Sequence, residues 1–155
     1  MSMFNTPSED SKFLSRLDPR ELLGTVSNHP IQLEDRVWPT VEHYVQAIQF
    51  ENEDKQEKIR MAASTDAARK LGKTGWFKKN RKNWKSLRFV YMTRAIYTKC
   101  KAYPEIAETL LATQEEHLVE NDQYDYYWGC GRDRRGENAF GRVLMQVRAK
   151  LREES

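Results

Sequence analysis

Residues 38–50 read WPTVEHYVQAIQF, and the reading of this stretch decides the fold. Pro39 and Thr40 open a helix. Val41, Tyr44, Val45 and Ile48 then recur at helical spacing and define a buried face. Glu42, Gln46 and Gln49 fall at i, i+4 and i+7 on a second stripe. From Val37 to Asn52 there is no lysine or arginine, and the only acids are Glu42 and Glu51. A solvated helix face normally carries cations, so this stripe is expected to face something other than water.

Working outward, Asp18-Pro19 is a helix-start signal, with Asp as N-cap and Pro at the first helical position. Gly24 is a stop, so LDPRELLG is expected to be a short helix. IQLEDRVW alternates around Glu34-Asp35 and reads as a hairpin. Glu57–Ala63 and Ser64–Leu71 read as two short helices, the second capped by Ser64 and stopped by Gly72. A long helix is expected from about Arg81 to Lys101, with Trp84, Leu87, Tyr91 and Ala95 on its apolar stripe. Tyr103-Pro104 breaks it, and Glu105–Leu111 forms the next helix. HLVE is a strand candidate. The last helix carries Phe140, Val143, Leu144, Val147 and Leu151. The fold class is therefore mainly α, a compact single domain over residues 13–152 with a few short β-strands, behind a flexible tail at 1–12.

The chain has 155 residues, 39% hydrophobic and 32% charged, which suits one domain with a real core. No apolar run approaches the roughly 20 residues that span a bilayer, so no membrane partner is expected. MSMFNTPSEDS has neither a basic n-region nor an apolar h-region, and no export signal is read there. Cys100 and Cys130 stand far apart without a C-x-x-C, which points to reduced thiols in a cytoplasm. The net charge of +3 conceals a segregation. Between Asp66 and Glu105 lie twelve of the 26 basic residues and no acid, while the remainder holds 14 basic against 23 acidic residues. Such a block favours an anionic partner, either a phosphorylated small molecule or nucleic acid.

Glu42 is the first candidate for chemistry, because a carboxylate in a partly apolar pocket can act as an acid or base. A carboxylate in the first turn of a helix also has a purely structural explanation in the helix dipole. In YDYYWGCGRDRRGEN, the glycines at 129, 131 and 136 allow close backbone approach, and Arg132, Arg134 and Arg135 add cations. Asn138 caps the last helix, whose first amides are a natural anion site. Either a phosphate cradle or an ordinary glycine-rich turn fits that stretch. It is not a dinucleotide fingerprint, since Arg134 stands at the third glycine position. Asp125 precedes Tyr126, Tyr127 and Trp128, an arrangement suited to stacking on a base or sugar. His29, His43 and His117 show no metal-ligand spacing, so no metal and no cofactor are expected. No G-x-S-x-G is present, and neither cysteine has an evident base partner.

Several motifs together resemble the NADAR family of YbiA-like proteins. They are Ser27-Asn28 with Pro30, WPT-x-EH-x-x-QA-x-x-F at 38–50, and Trp84. Further along come Leu110, Thr113 and Leu118–Glu120, then D-x-x-WG-x-G at 125–131 and G-x-N-x-x-G-x-x-LM-x-x-R at 136–148. The resemblance covers the chain from about Phe13. It implies a compact, mainly helical fold and an N-glycosidase that cleaves the bond between ribose and a nitrogen heterocycle. Its substrates would be ribosylamino-pyrimidine phosphates of riboflavin biosynthesis or ADP-ribosyl-guanine, the latter on nucleic acid. The bacterial branch of the family is linked to swarming motility.

By the same resemblance Glu42 is the active carboxylate, and Trp84, Asp125 and Trp128 match other groups of the site. Asp125 would hold the ribose or aid the leaving group, and the two indoles would wall the pocket. Asn28, Gln46, Gln49, Gly129, Gly131, Arg132 and Asn138 complete the expected substrate-binding set. Gln49 stands where the family commonly has Lys, in a QA-x-KF pattern. The aromatic residue that often follows the Ser-Asn pair is absent here. Two other readings stay open: a catalytically silent ADP-ribose or nucleotide-binding protein, and a nucleic-acid-binding protein that uses Trp76, Phe77, Trp84 and the lysines around them.

Overall fold

The computed structural model describes residues 10–74 and 79–155, and Trp76 and Phe77 lie outside that range. Four short strands and six helices make up the described residues. β1 (Lys12–Leu14) pairs in parallel with β4 (Leu118–Glu120), setting Leu14 opposite Glu120. Lys12, which the sequence reading assigns to the tail, thus opens a strand. β2 (Ile31–Leu33) and β3 (Arg36–Trp38) form the expected antiparallel hairpin. Its two-residue turn, Glu34-Asp35, has φ of 56° and 61°. Positive φ at both positions suits the right-handed twist of a hairpin.

α1 (Val41–Ile48) is the centre of the molecule, packed by α2 (Glu53–Arg60), α3 (Thr65–Leu71), α4 (Trp84–Ala102) and β3. Thr40 caps it, its hydroxyl accepting from the His43 amide at 3.2 Å. Seven of its eight residues are buried, so α1 is enclosed nearly all round rather than along one face. This explains the missing cations, because an ammonium buried without a partner costs several kcal/mol, by order of magnitude. His43 belongs to this packing: its Nε2 meets the Ala62 carbonyl at 3.1 Å and its Nδ1 the Thr40 hydroxyl at 2.9 Å. Burial lowers its pKa, which leaves a neutral ring donating through Nε2.

α4 crosses the core and packs on α5 (Pro104–Leu111) and on α6 (Ala139–Glu154), and α6 lies against β4. Trp38, Tyr44, Met92, Ile96, Leu110 and Phe140 are the large side chains at its centre. α3 is capped by the Ser64 hydroxyl on the Ala67 amide and ends at Gly72, as the sequence indicates. α2 starts earlier than expected because Asn52 caps it at the Lys55 amide.

One expected helix is absent. Residues 18–24 form successive turns, in which Asp18 Oδ1 accepts from the Arg20 amide at 2.9 Å and the Glu21 amide donates to the Asp18 carbonyl at 2.9 Å. The Asp-Pro start signal is spent on an Asx turn, because the chain must double back. The Thr25 amide donates to the Arg16 carbonyl at 2.9 Å, which a continuing helix would prevent.

Candidate active site

Glu42 sits in the first turn of α1 and is only 1% exposed. Oε1 accepts from the Thr25 hydroxyl at 2.7 Å and lies 3.6 Å from Arg16 Nη1. Oε2 accepts from Gln46 Nε2 at 2.7 Å and lies 3.8 Å from Arg69 Nε. The i, i+4 spacing read from the sequence is what brings Gln46 onto the carboxylate. The surroundings are polar rather than the partly apolar pocket expected. The cations missing from α1 arrive from the segment after β1 and from α3.

Arg16 links the carboxylates. It is 5% exposed, and its guanidinium reaches Glu42, Glu120 at 3.6 Å through Nε, and Asp125 at 3.3 Å through Nη2. Its backbone amide donates to Glu120 Oε2 at 2.7 Å. Glu42 and Asp125 therefore share one guanidinium, which places the two expected catalytic carboxylates at one centre. Arg16, Thr25, Glu120 and Arg69 are not singled out by the sequence reading. Only the LVE motif hinted at Glu120. The pairing of β1 with β4 sets Arg16 beside Glu120, and a three-residue strand carries little periodicity from which to read that register. Burial pushes the Glu120 carboxyl up to about 7, against the opposing pull of the Arg16 amide and guanidinium.

Asp125 is committed to its own loop. Oδ1 accepts from the amides of Tyr127 at 2.9 Å and Trp128 at 2.7 Å, and Oδ2 faces Arg16. Trp128 is half-buried against the core and meets Tyr127 edge to face, with ring centroids 4.7 Å apart. The Arg88 guanidinium of α4 lies 3.2 Å over the Tyr127 ring. Trp84, one turn before Arg88, packs on Tyr91 at 5.8 Å and makes none of the hydrogen bonds around Glu42. Asn28 is exposed, three residues beyond Thr25, and likewise stands outside that hydrogen-bond set.

In the expected anion cradle at residues 129–140, most backbone amides are already paired within the protein. The amides of Cys130, Gly131, Gly136, Glu137, Asn138, Ala139 and Phe140 all donate to backbone carbonyls, so none is free for a phosphate. Gly131 is buried with φ of 74°, and a Cβ there would lie 2.4 Å from the Tyr126 ring. A Cβ on the buried Gly129 would lie 2.4 Å from the Asp122 carbonyl. These glycines let the loop fold tightly on itself. Arg132 is exposed and lies over the Tyr124 ring. Asn138 precedes α6 without capping it: its Oδ1 accepts from the Glu120 amide at 2.8 Å and its Nδ2 donates to the Leu118 carbonyl at 2.9 Å. It pins β4 instead.

Gln49 is 8% exposed and fully engaged. Its Nε2 donates to the Gln46 carbonyl at 2.9 Å, Gln46 Oε1 at 3.0 Å and the Gly72 carbonyl at 2.7 Å, while Oε1 accepts from Asn80 at 3.3 Å. Beside Gln46 and Arg69 lies a cleft of about 370 Å³, lined also by Asp66, Lys70, Gly72 and Lys73. Two of its lining residues thus touch the Glu42 carboxylate. A larger groove of about 680 Å³ runs between α4 and α6 and shares no lining residue with the Glu42 centre. Among the described residues no cluster of His, Cys, Asp and Glu is arranged to hold a metal ion. No helix there is long and apolar enough to cross a membrane.

Comparisons with known proteins agree with this architecture. Residues 3–152 match the model of the NADAR domain family. The chain is 38% identical over 122 residues to N-glycosidase YbiA of Escherichia coli (strain K12), covering 79% of this chain and 76% of that one. It is 36% identical over 148 residues to the chloroplastic riboflavin biosynthesis protein PYRR of Zea mays, covering 84% of this chain and 24% of that one. The NMR structure of the E. coli protein YbiA superposes with a TM-score of 0.82 at 32% identity, over 98% of this chain and 91% of that one. With a family model spanning nearly its whole length and relatives of this similarity, the chain belongs to the NADAR domain family.

Proposed function

We propose that this protein is an N-glycosidase that hydrolyses the N-ribosyl bond of a phosphorylated ribosyl-heterocycle of riboflavin biosynthesis, with Glu42 as the active carboxylate. The observation that carries this reading is Glu42 itself, buried, fixed at both oxygens, and one side chain from a cationic cleft. In the reaction the C1–N bond breaks with its electron pair leaving on nitrogen, and water adds at C1. Positive charge builds on the ribose, and a preorganised carboxylate stabilises it electrostatically. The same carboxylate accepts the proton of the attacking water and passes it on to the leaving nitrogen, which departs as the neutral amine. Thr25 and Gln46 hold the carboxylate in one rotamer, so little reorganisation is needed at the moment of bond cleavage. Asp125, held by Arg16, accepts from the Tyr127 and Trp128 amides and so fixes the loop that carries Trp128. The buried free thiols Cys100 and Cys130 fit a reducing cytoplasm.

The test is incubation of purified protein with a ribosylamino-pyrimidine phosphate, with DNA bearing ADP-ribosylated guanine, and with NAD. Release of ribose 5-phosphate from the first is the expected result, and no release from any of the three refutes the proposal. One observation favours a second reading, nucleotide binding without turnover: the Gln49 amide, at the position of the family lysine, is wholly spent on Gln46, Gly72 and Asn80. That reading predicts a rise in Tm with ADP-ribose and no product.

A further inference from the structure

A phosphorylated substrate needs a seat for its phosphate, and most amides of the glycine-rich loop are already paired. The α3 cleft has the required chemistry. Arg69, Lys70 and Lys73 line it with a single acid, Asp66, so the lining carries a net charge of +2. Lys70 and Lys73 are exposed and form no ion pair among the described residues. A volume of about 370 Å³ lies at the small end of the roughly 300–1,000 Å³ typical of ligand pockets. It suits a phosphoribosyl unit better than a whole dinucleotide.

Arg69 belongs to both places. Its Nε stands 3.8 Å from Glu42 Oε2, a loose contact for an ion pair, and its side chain is 43% exposed. A phosphate dianion matches the guanidinium fork and carries more charge than the carboxylate, so it competes well for Arg69. Glu42 is meanwhile nearly sealed, and the side chains between it and the cleft are Arg69 and Gln46.

We propose that the cleft walled by Arg69, Lys70 and Lys73 is a phosphate-monoester subsite, and that Arg69 leaves Glu42 for the phosphate when the cleft fills. The phosphate then does two things: it anchors the ribose, and it uncovers the carboxylate. This rests on Glu42 being the active carboxylate. A riboside without phosphate leaves Arg69 on Glu42 and is turned over slowly.

The experiment has a binding arm and a turnover arm. Binding of inorganic phosphate, ribose 5-phosphate and ADP-ribose is measured calorimetrically on wild type, on Lys70→Gln/Lys73→Gln, and on Arg132→Gln. The double variant should bind ribose 5-phosphate at least tenfold more weakly with its Tm unchanged, and Arg132→Gln should bind it like wild type. ADP-ribose should bind more weakly than ribose 5-phosphate. Equal binding by wild type and the double variant, or weakening in Arg132→Gln instead, overturns the subsite. ADP-ribose as the tighter ligand overturns its monoester character.

In the turnover arm, inorganic phosphate should accelerate hydrolysis of the phosphate-free riboside by wild type, and should have no such effect on Arg69→Gln. The same rate with and without phosphate in wild type overturns the Arg69 exchange. If nothing is hydrolysed but phosphate binding follows Lys70 and Lys73, the subsite stands and the glycosidase reading falls. If hydrolysis depends on Glu42 while binding ignores the two lysines, the reverse holds.

Discussion

The Thr25 hydroxyl donates to Glu42 Oε1 at 2.7 Å, and the Glu42 amide donates back to the Thr25 carbonyl at 2.9 Å. This reciprocal pair fixes both ends of Glu42 to a segment seventeen residues earlier. Thr25→Val keeps the shape and removes the donor, leaving a buried carboxylate oxygen short of a partner. The expected cost is about 1.5–3 kcal/mol of stability, as for a hydrogen bond to a charged group. Urea denaturation measures it, and a loss under about 0.5 kcal/mol contradicts the assignment.

Arg16 is the one guanidinium that Glu42, Glu120 and Asp125 share. Arg16→Met fills the same space, takes the guanidinium from Glu120 and Asp125, and leaves Glu42 with only the longer contact to Arg69. Removing one partner of a buried ion pair costs about 3–5 kcal/mol. Denaturation at neutral pH should show a loss of that order. Arg16→Lys should fall between the two, because an ammonium cannot span three partners with a planar fork.

Gly72 lies against the Glu42 relay. A Cβ there would sit 1.9 Å from Gln46 Oε1 and 3.0 Å from Gln49 Nε2. The Gln46 amide is the flexible end of a half-buried side chain, so it can swing aside. Gly72→Ala should therefore change Tm little yet lower kcat/KM about tenfold, as Gln46 is drawn off Glu42. A variant as active as wild type shows that the Gln46 bond contributes nothing to turnover.

How much of this was legible in the sequence follows from where each group comes from. The Glu42, Gln46 and Gln49 stripe lies on one helix, and helical spacing alone brings the three together. The Ser64 cap was also local, and it falls where expected, while Thr40, read as opening the helix, is its N-cap. Arg16, Thr25, Glu120 and Arg69 come from four separate segments, and no spacing rule reports which segments meet. The 18–24 turn misled for a related reason. Its local signal favours a helix, and the tertiary bond from Thr25 to the Arg16 carbonyl outweighs it. The loop at 129–136 has the composition of an anion cradle, but composition does not reveal that most of its amides are already paired.

Glu120 makes stability depend on pH. Its carboxyl is raised from 4.5 to about 7 in the folded protein, so between those values the native state holds a proton that the unfolded chain has lost. Stability from this group is present in full below pH 4.5 and is lost as pH rises through 7. The loss across the window is on the order of 3 kcal/mol. In Glu120→Gln that downward slope should be flattened, and an unchanged slope assigns it to another group. Lys99 acts in a higher window. Burial lowers its ammonium to about 8, so stability rises from pH 8 towards 10.5 as the folded protein sheds this proton first.

The most direct measurement is the single-turnover release of ribose 5-phosphate from a ribosylamino-pyrimidine phosphate by wild type and by Glu42→Gln, with Tm recorded for both. The amide keeps the size of the carboxylate and can still accept from Thr25, but it carries no charge and is no base. The account predicts a rate lower by about 100-fold or more, the range for losing a general base, with the fold intact. A folded Glu42→Gln that releases product at the wild-type rate contradicts it.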